Sequence, residues 1–185
     1  MGRENFKEIE EKMKKTIESV KREFQGIRTG KPSIGLFDDI KVNYYGNMMP
    51  LNQVATLKLG EGRTIIIQPW DKSVIPEIEK AILKSNLGLT PQNDGQLIRI
   101  NFPPLSEERR KELVKFAHKE AENGRVAIRN IRRDYLEIFK KEKQEGKISE
   151  DEFYRLQEEL QKLTDKYIDE IDKLLSLKEK EIMEV

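Results

Sequence analysis

Residues 113–138, LVKFAHKEAENGRVAIRNIRRDYLEI, decide the fold of this chain. Small and apolar residues recur at spacings of three or four, at Leu113, Ala117, Ala121, Gly124, Ile128, Ile131, Tyr135 and Ile138. This spacing places them on one face of an α-helix. Ser106 can cap that helix and Gly146 can end it, which predicts about 39 residues and a length of roughly 58 Å. So long an amphipathic helix needs partner helices to bury its narrow stripe.

Two other segments carry the same pattern. We call the apolar stripe of each predicted helix its seam. The seam of the first helix consists of Phe6, Ile9, Met13, Ile17, Val20, Phe24 and Ile27. The seam of the last helix consists of Phe153, Leu156, Leu160, Leu163, Tyr167, Ile171 and Leu174. Ser149 and Glu152 form a capping box at the start of the last helix. Three such helices predict one long, antiparallel, coiled-coil-like three-helix bundle.

The hydrophobic period changes between the first and second helices. Runs rich in β-branched and aromatic residues predict strands over 40–45, 54–59, 64–68 and 97–102. A helix is predicted between the third and fourth strands, capped by Ser73 and with Ile75, Ile78 and Ile82 facing inward. Residues 90–95 are predicted to form a turn, and Met48 and Met49 a loop.

The predicted fold is therefore α+β, with a small β/α/β domain inserted after helix 1. The bundle is assigned to residues 1–29 and 106–185, and the inserted domain to 30–105. Both connections are short and contain Gly or Pro, which predicts hinges at about 29–31 and 103–106. The predicted hinge residues are Thr29, Gly30, Lys31, Pro103, Pro104, Leu105 and Ser106.

The chain has 35 basic and 34 acidic residues, so its net charge of +1 gives no polybasic character overall. The charge is nevertheless segregated, with an excess of basic residues in the second long helix and of acidic residues in the last. There is no cysteine and no apolar run long enough to span a membrane. We expect a soluble cytoplasmic protein.

Four arginines lie within residues 125–133, with no acidic residue among them. On a helix, Arg125, Arg129 and Arg132 fall within about 60° of arc, and Arg133 borders them. The planar guanidinium group is suited to bidentate bonds with phosphate, so this stripe favours an RNA backbone as ligand. The alternative is a solvated face balanced by acids on a neighbouring helix.

Residues for catalysis are lacking. His118 is the only histidine and there is no cysteine, which excludes a His/Cys metal cage or a Cys-His nucleophile pair. We interpret His118 as a surface polar residue or an RNA contact. Residues 26–32 resemble a phosphate-binding loop, but the loop is one residue short and Pro32 replaces its Ser or Thr. We therefore predict no catalytic residue, no metal and no cofactor.

The sequence resembles the bacterial ribosome recycling factor family over essentially its whole length. The matching segments are 27–30 (IRTG), 44–46 (YYG) with Pro50 and Leu51, 69–71 (PWD), 79–82 (EKAI), 87–89 (LGL), 103–110 (PPLSEERR), 125–134 (RVAIRNIRRD) and 161–165 (QKLTD). The resemblance implies an L-shaped molecule with the outline of a transfer RNA, whose long arm is the helical bundle.

The resemblance also implies a function. Family members bind the 50S subunit of the 70S ribosome after termination, contact its 23S rRNA and split the subunits together with elongation factor G and GTP. Carried onto this chain, the RNA contacts are first Arg110, Arg129, Arg132 and Arg133, and then Arg109, Arg125 and Arg28. The resemblance implies a monomeric factor that is not an enzyme and that has neither a membrane nor a small-molecule partner.

Two other function classes remain open. A coiled-coil RNA or protein adaptor, such as a chaperone-like arm, would need neither a hinge nor a GTPase partner. A nucleotide-dependent enzyme would bind nucleotide on its own, which the incomplete loop at residues 26–32 disfavours.

Overall fold

The computed structural model describes residues 2–184, and the side chains of residues 5–184. The helices are α1 (Gly2–Gln25), α2 (Ile75–Lys84), α3 (Glu107–Gln144) and α4 (Glu150–Met183). The strands are β1 (Lys41–Tyr44), β2 (Asn47–Pro50), β3 (Ala55–Leu59), β4 (Thr64–Pro69), β5 (Pro91–Asn93) and β6 (Ile98–Asn101). Long helices together with a small antiparallel sheet confirm the predicted α+β class.

The ends of α3 and α4 follow from the capping residues seen in the sequence. Ser106 Oγ accepts a hydrogen bond from the backbone N–H of Arg109 at 3.1 Å, and Ser149 Oγ accepts one from Glu152 at 3.1 Å. Gly146 has φ +73°, which ends α3 and lets Lys147 N–H bond back to the carbonyl of Glu142 at 2.9 Å. These predicted boundaries are confirmed.

Helices α1 and α3 pack side by side in opposite directions. Near one end of the pair, the rings of Phe6 and Phe139 stack with centroids 5.9 Å apart. Near the other end, Val20 packs directly against Gly124. Glycine leaves room there for α1 to approach the backbone of α3 more closely than any side chain would allow.

Helix α4 completes the bundle, antiparallel to α3. Arg125 forms an ion pair with Asp172, and His118 pairs with Glu179 about two turns further along α4. Since α1 and α4 both oppose α3, they run parallel to each other. The apolar seams of all three helices are largely buried, as predicted.

One seam prediction was wrong by one residue. Ile138 is 43% exposed, and its neighbour Phe139 is fully buried against Phe6. On α4, the seam residue Leu174 is partly buried, and Leu175 beside it is buried. An α-helix drifts relative to a seven-residue repeat, so by the far end of a long seam the inward position moves to the adjacent residue.

The β/α unit is built on two antiparallel sheets. Strands β1 and β2 form a hairpin, and a four-stranded sheet has the order β3-β4-β6-β5. Burial alternates along β6, where Ile98 and Ile100 are inside and Arg99 is outside. Helix α2 buries Ile75, Ile78 and Ile82, as predicted, in the same core.

Three local predictions in this unit were wrong. Met48 and Met49 lie in β2 rather than a loop, and Pro91–Asn93 form β5 rather than part of a turn. Both strands are short and lie at a sheet edge, where Pro and Asn are tolerated, so turn-type residues concealed them. Asp71, not Ser73, caps the turn that leads into α2, since Asp71 Oδ1 accepts from Ser73 N–H at 2.9 Å.

The chain divides into two compact units. The bundle unit comprises the residues up to Phe24 with Lys115–Glu179, and the β/α unit comprises Gln25–Val114 with the residues from Lys180 onward. The ends of the three long helices thus group with the β/α unit, where Lys31 and Glu184 form an ion pair of 3.7 Å. The domain extents 1–29, 30–105 and 106–185 stay a prediction, and their terminal residues 1 and 185 lie outside the described part. No helix in residues 2–184 is long and apolar enough to cross a membrane.

Replacing Gly124 by alanine is expected to destabilise the protein, although alanine is normally favoured in helices by about 1 kcal/mol. The new Cβ would stand 2.6 Å from Val20 Cγ2 and 3.2 Å from Ile171 Cδ1. Valine has one strongly preferred rotamer in a helix and cannot move aside, and overpacking costs about 1–3 kcal/mol. We expect the free energy of unfolding in urea to fall by about 1 kcal/mol net.

The matched control is the double variant Val20→Ala/Gly124→Ala, which removes the clashing methyl group. Its loss of stability should be smaller than the sum of the two single losses. A single Gly124→Ala variant more stable than the parent would show that the helices do not need this close approach.

Candidate nucleic-acid interface

The arginines of residues 125–133 have very different surroundings. Arg125 is largely enclosed, with 19% of its side chain exposed. Its Nε donates to Asp172 Oδ1 at 2.8 Å and its Nη1 to Glu122 Oε2 at 3.1 Å. Burial opposes its charge, but the bonds and charges of Asp172 and Glu122 outweigh burial and hold the pKa of Arg125 above its ordinary value. Arg125 therefore joins α3 to α4.

Arg129 shares the same acid. Its Nη1 donates to Glu122 Oε1 at 3.2 Å, while about half of its side chain stays exposed. The hydrogen bond from Arg125, aided by Arg129, holds the pKa of Glu122 below its ordinary value despite partial desolvation. The positive charge of Arg129 is thus partly neutralised by Glu122, while the rest of its guanidinium group faces solvent.

Arg132 and Arg133 are the least engaged. Arg133 lies 3.7 Å from Asp134 with 68% of its side chain exposed, a weak surface pair. Within residues 5–184, the guanidinium of half-buried Arg132 has no hydrogen bond and no ion pair. Its donors are unused and are available to a phosphate group.

The remaining predicted RNA contacts belong to the β/α unit. Arg28 lies over the ring of Phe102, 5.7 Å from its centroid, and donates to the carbonyl of Pro103. Burial, and secondly the charge of Arg109, lower the pKa of Arg28. Arg109 pairs with Glu112 at 2.9 Å. The buried Nε atoms of Arg28 and Arg110 lack a partner, so this group holds donors that the protein itself leaves unsatisfied.

The predicted hinge residues also lie in the β/α unit. Thr29 Oγ1 accepts from Lys31 N–H at 3.4 Å, Leu105 is buried, and Ser106 caps α3. Both segments therefore have ordered contacts within one compact unit. The hinge itself stays a prediction.

Residues 5–184 contain no cluster of three or more His, Cys, Asp or Glu side chains that could hold a metal ion. His118 is exposed on α3, and its Nε2 contacts the carboxylate of Glu179 on α4. This surface location agrees with the first interpretation of His118, and its role in RNA binding stays untested.

Comparison with known proteins assigns this architecture. The family model described as ribosome recycling factor matches residues 20–183. The chain belongs to the ribosome recycling factor family. Among its relatives, the ribosome-recycling factor of Pelotomaculum thermopropionicum is 57% identical over 185 residues, and the alignment covers 100% of both chains. The ribosome-recycling factor of Desulfotalea psychrophila is 53% identical, with 96% of this chain and 97% of that one covered.

Solved structures agree with the assignment. A solution structure of the ribosome recycling factor is 50% identical, covers 100% of this chain and 98% of its own, and superposes with a TM-score of 0.80. A chain from models for the T. thermophilus ribosome recycling factor and the E. coli elongation factor G bound to the E. coli post-termination complex is 45% identical. That comparison covers 100% of both chains, with a TM-score of 0.68.

Sequence reasoning treated the arginine stripe as uniform; its alternative expected acids on a neighbouring helix but named neither Glu122 nor Asp172. Glu122 could have been found, since it lies three and seven residues before Arg125 and Arg129 and so shares their helix face. Asp172 could not, because its distance from Arg125 depends on the register between α3 and α4.

The different surroundings predict different effects on stability. Arg125→Ala should lower the free energy of unfolding by about 1–2 kcal/mol, because it removes charge-assisted bonds that join two helices. Arg132→Ala should stay within about 0.5 kcal/mol of the parent, since Arg132 has no partner to lose. Urea denaturation of the full chain measures both, and equal losses would contradict the division of the stripe.

Proposed function

We propose that this chain binds the large ribosomal subunit after termination and, with elongation factor G and GTP, separates the post-termination complex into subunits. Full-length identity of 57% to a ribosome-recycling factor carries the proposal. The relative bound with elongation factor G to a post-termination complex supports the choice of partners. Ribosomes define the place of action, which is the cytoplasm.

The proposed anchor is the free part of the arginine stripe. Arg132 has unused guanidinium donors, Arg133 is weakly paired, and Arg129 is half exposed. These groups can bond the phosphates of 23S rRNA without breaking a contact that the fold needs. Arg125 acts differently in this proposal: it fixes α3 against α4, so that its neighbours are presented in a fixed register.

A second set of contacts is proposed around Arg28, Arg109 and Arg110. Arg28 and Arg110 are partly exposed, and since their Nε atoms are buried, they would bond phosphate through their outer Nη atoms. Arg109 would have to exchange its bond to Glu112 for one to phosphate. Of the three, Arg109 should therefore contribute least.

The chain is proposed to act without chemistry of its own. Free energy for splitting would come from GTP hydrolysis by elongation factor G, and this chain would supply rigid binding surfaces. No cofactor is needed for that role. Bending at 29–31 and 103–106 would let the two sheets and α2 move while the long helices stay bound, which is the proposed use of the two short connections.

Arg132→Ala is expected to weaken binding to 50S subunits by roughly 10- to 100-fold, the loss of about one charge-assisted bond. Binding of the parent should also weaken steeply as salt rises, with a smaller slope for the variant. Equilibrium binding of a labelled full-length chain to purified 50S subunits measures both effects.

Arg155→Ala is a matched control, because Arg155 is exposed on α4 and is not among the proposed contacts. It should bind as the parent does. If Arg132→Ala also binds as the parent does, the stripe is a solvated face and RNA anchoring lies elsewhere.

Splitting should require the complete set of factors. Light scattering by post-termination ribosomes should fall only when this chain, elongation factor G and GTP are all present, and not with a non-hydrolysable analogue. Ribosomes and elongation factor G must come from one compatible source. A matched set that leaves ribosomes intact would favour a coiled-coil adaptor, and GTP hydrolysis by this chain alone would favour an enzyme.

A further inference from the structure

Two segments of the β/α unit lie next to each other, and neither contains a proposed RNA contact. One is the turn of the β1–β2 hairpin, at Tyr45, and the other follows β4, at Trp70 and Asp71. The hydroxyl of Tyr45 donates to Asp71 Oδ2 at 3.1 Å and lies 3.0 Å from Ser73 Oγ. Tyr45, Trp70 and Asp71 together form what we term the aromatic corner.

Both rings of the aromatic corner are exposed yet held in place. Tyr45 is 73% exposed and Trp70 66% exposed, the highest values among the exposed large hydrophobic side chains of residues 5–184. Trp70 Nε1 donates to Thr56 Oγ1 at 2.9 Å, and the ring of Tyr45 packs edge-on against Tyr44 at 4.7 Å. Aromatic groups already fixed in place lose little entropy on binding, which makes them effective anchors at interfaces.

The backbone of Tyr45 is an outlier. Its φ of +49° is the only positive value among the non-glycine residues described, and Gly46 follows with φ +87°. A two-residue hairpin turn with both φ values positive favours Asn-Gly. A bulky tyrosine is strained there, and asparagine would form the turn more easily. The turn itself therefore does not call for an aromatic ring at this position.

The corner is also negatively charged. Hydrogen bonds from Ser73, opposed by desolvation and aided by Tyr45, hold the pKa of Asp71 below its ordinary range. An ionised carboxylate beside exposed rings repels phosphate and attracts a cation. Guanidinium fits best, because it can stack on an aromatic face and bond a carboxylate at the same time.

We propose that the aromatic corner is a docking site for an arginine side chain presented by a protein partner. Exposed aromatic residues, with the 63% exposed Met48 nearby in the same hairpin, match the composition of protein interfaces. The negative carboxylate of Asp71 complements the positive charge of the guanidinium group. This site shares no residue with the proposed RNA contacts, so it stands or falls separately from them.

Trp70 is the only tryptophan, so its fluorescence in the full chain reports on this corner alone. The probes are the acetylated peptide Gly-Arg-Gly-Arg-Gly, its lysine and glutamate counterparts, and hexa-adenylate RNA. We expect a saturable change with the arginine peptide, with a Kd on the order of millimolar, and weaker binding of the lysine peptide. The glutamate peptide and the RNA should give none.

Asp71→Asn should raise the Kd of the arginine peptide about tenfold, since asparagine can still accept the capping bond from Ser73 but lacks the charge. Tyr45→Asn should do the same while fitting the turn. Glu61→Gln removes one exposed charge at the opposite end of the β3–β4 hairpin and should leave the Kd unchanged. Circular dichroism checks that each variant is folded. If Asp71→Asn does not fold, the binding measured with Tyr45→Asn tests the proposal instead.

Three results would overturn the proposal: no saturable change with the arginine peptide, unchanged binding by the folded variants, or a saturable response to the RNA. The last would identify the corner as a base-stacking surface instead. Ribosome splitting does not enter this experiment, so its outcome is independent of the proposed function.

Discussion

The close approach of three helices at Gly124 constrains the rest of the bundle. Val20 of α1 and Ile171 of α4 both reach the backbone of α3 at this glycine, and a methyl group on Gly124 would collide with the first. Seams as narrow as these bury enough surface only if the helices lie close together along their length. The contact therefore fixes the register of all three helices at one level.

That register determines which arginines serve the fold and which remain free. Arg125 immediately follows Gly124, so the same close approach brings it within 2.6 Å of Asp172. Two turns further along α3, the guanidinium of Arg132 makes no hydrogen bond or ion pair with any side chain of residues 5–184. A single run of arginines thus contains one residue that joins two helices and others whose hydrogen-bond donors are available to phosphate. The net charge of the run does not distinguish them.

The β/α unit shows the same division between groups that stabilise the fold and groups left available. Ile65, Ile67, Ile98 and Ile100 are fully buried in its core. Tyr45 and Trp70 nevertheless stay exposed, with their polar atoms bonded and their faces open. Strain at Tyr45 is consistent with a surface kept for binding, as positive φ values of bulky residues are costly.

Much of the architecture could be predicted locally. Helix seams, the caps at Ser106 and Ser149 and the stop at Gly146 each depend on residues within a few positions of one another, so spacing alone indicated them. Edge strands β2 and β5 were missed because a short strand containing Pro and Asn is defined by its partner rather than by its own sequence. The burial of Phe139 in place of Ile138 likewise depended on Phe6 across the bundle.

By itself, the sequence determined the α+β class, the helix ends and the position of the arginine stripe, because periodicity and capping act over short chain distances. Only the tertiary structure decided that Arg125 is bound and Arg132 is free, and that Tyr45 and Asp71 are neighbours. Each of these depends on contacts between segments separated by 26 to 47 residues. Such contacts are set by how helices and strands pack, and no pattern within one segment records them.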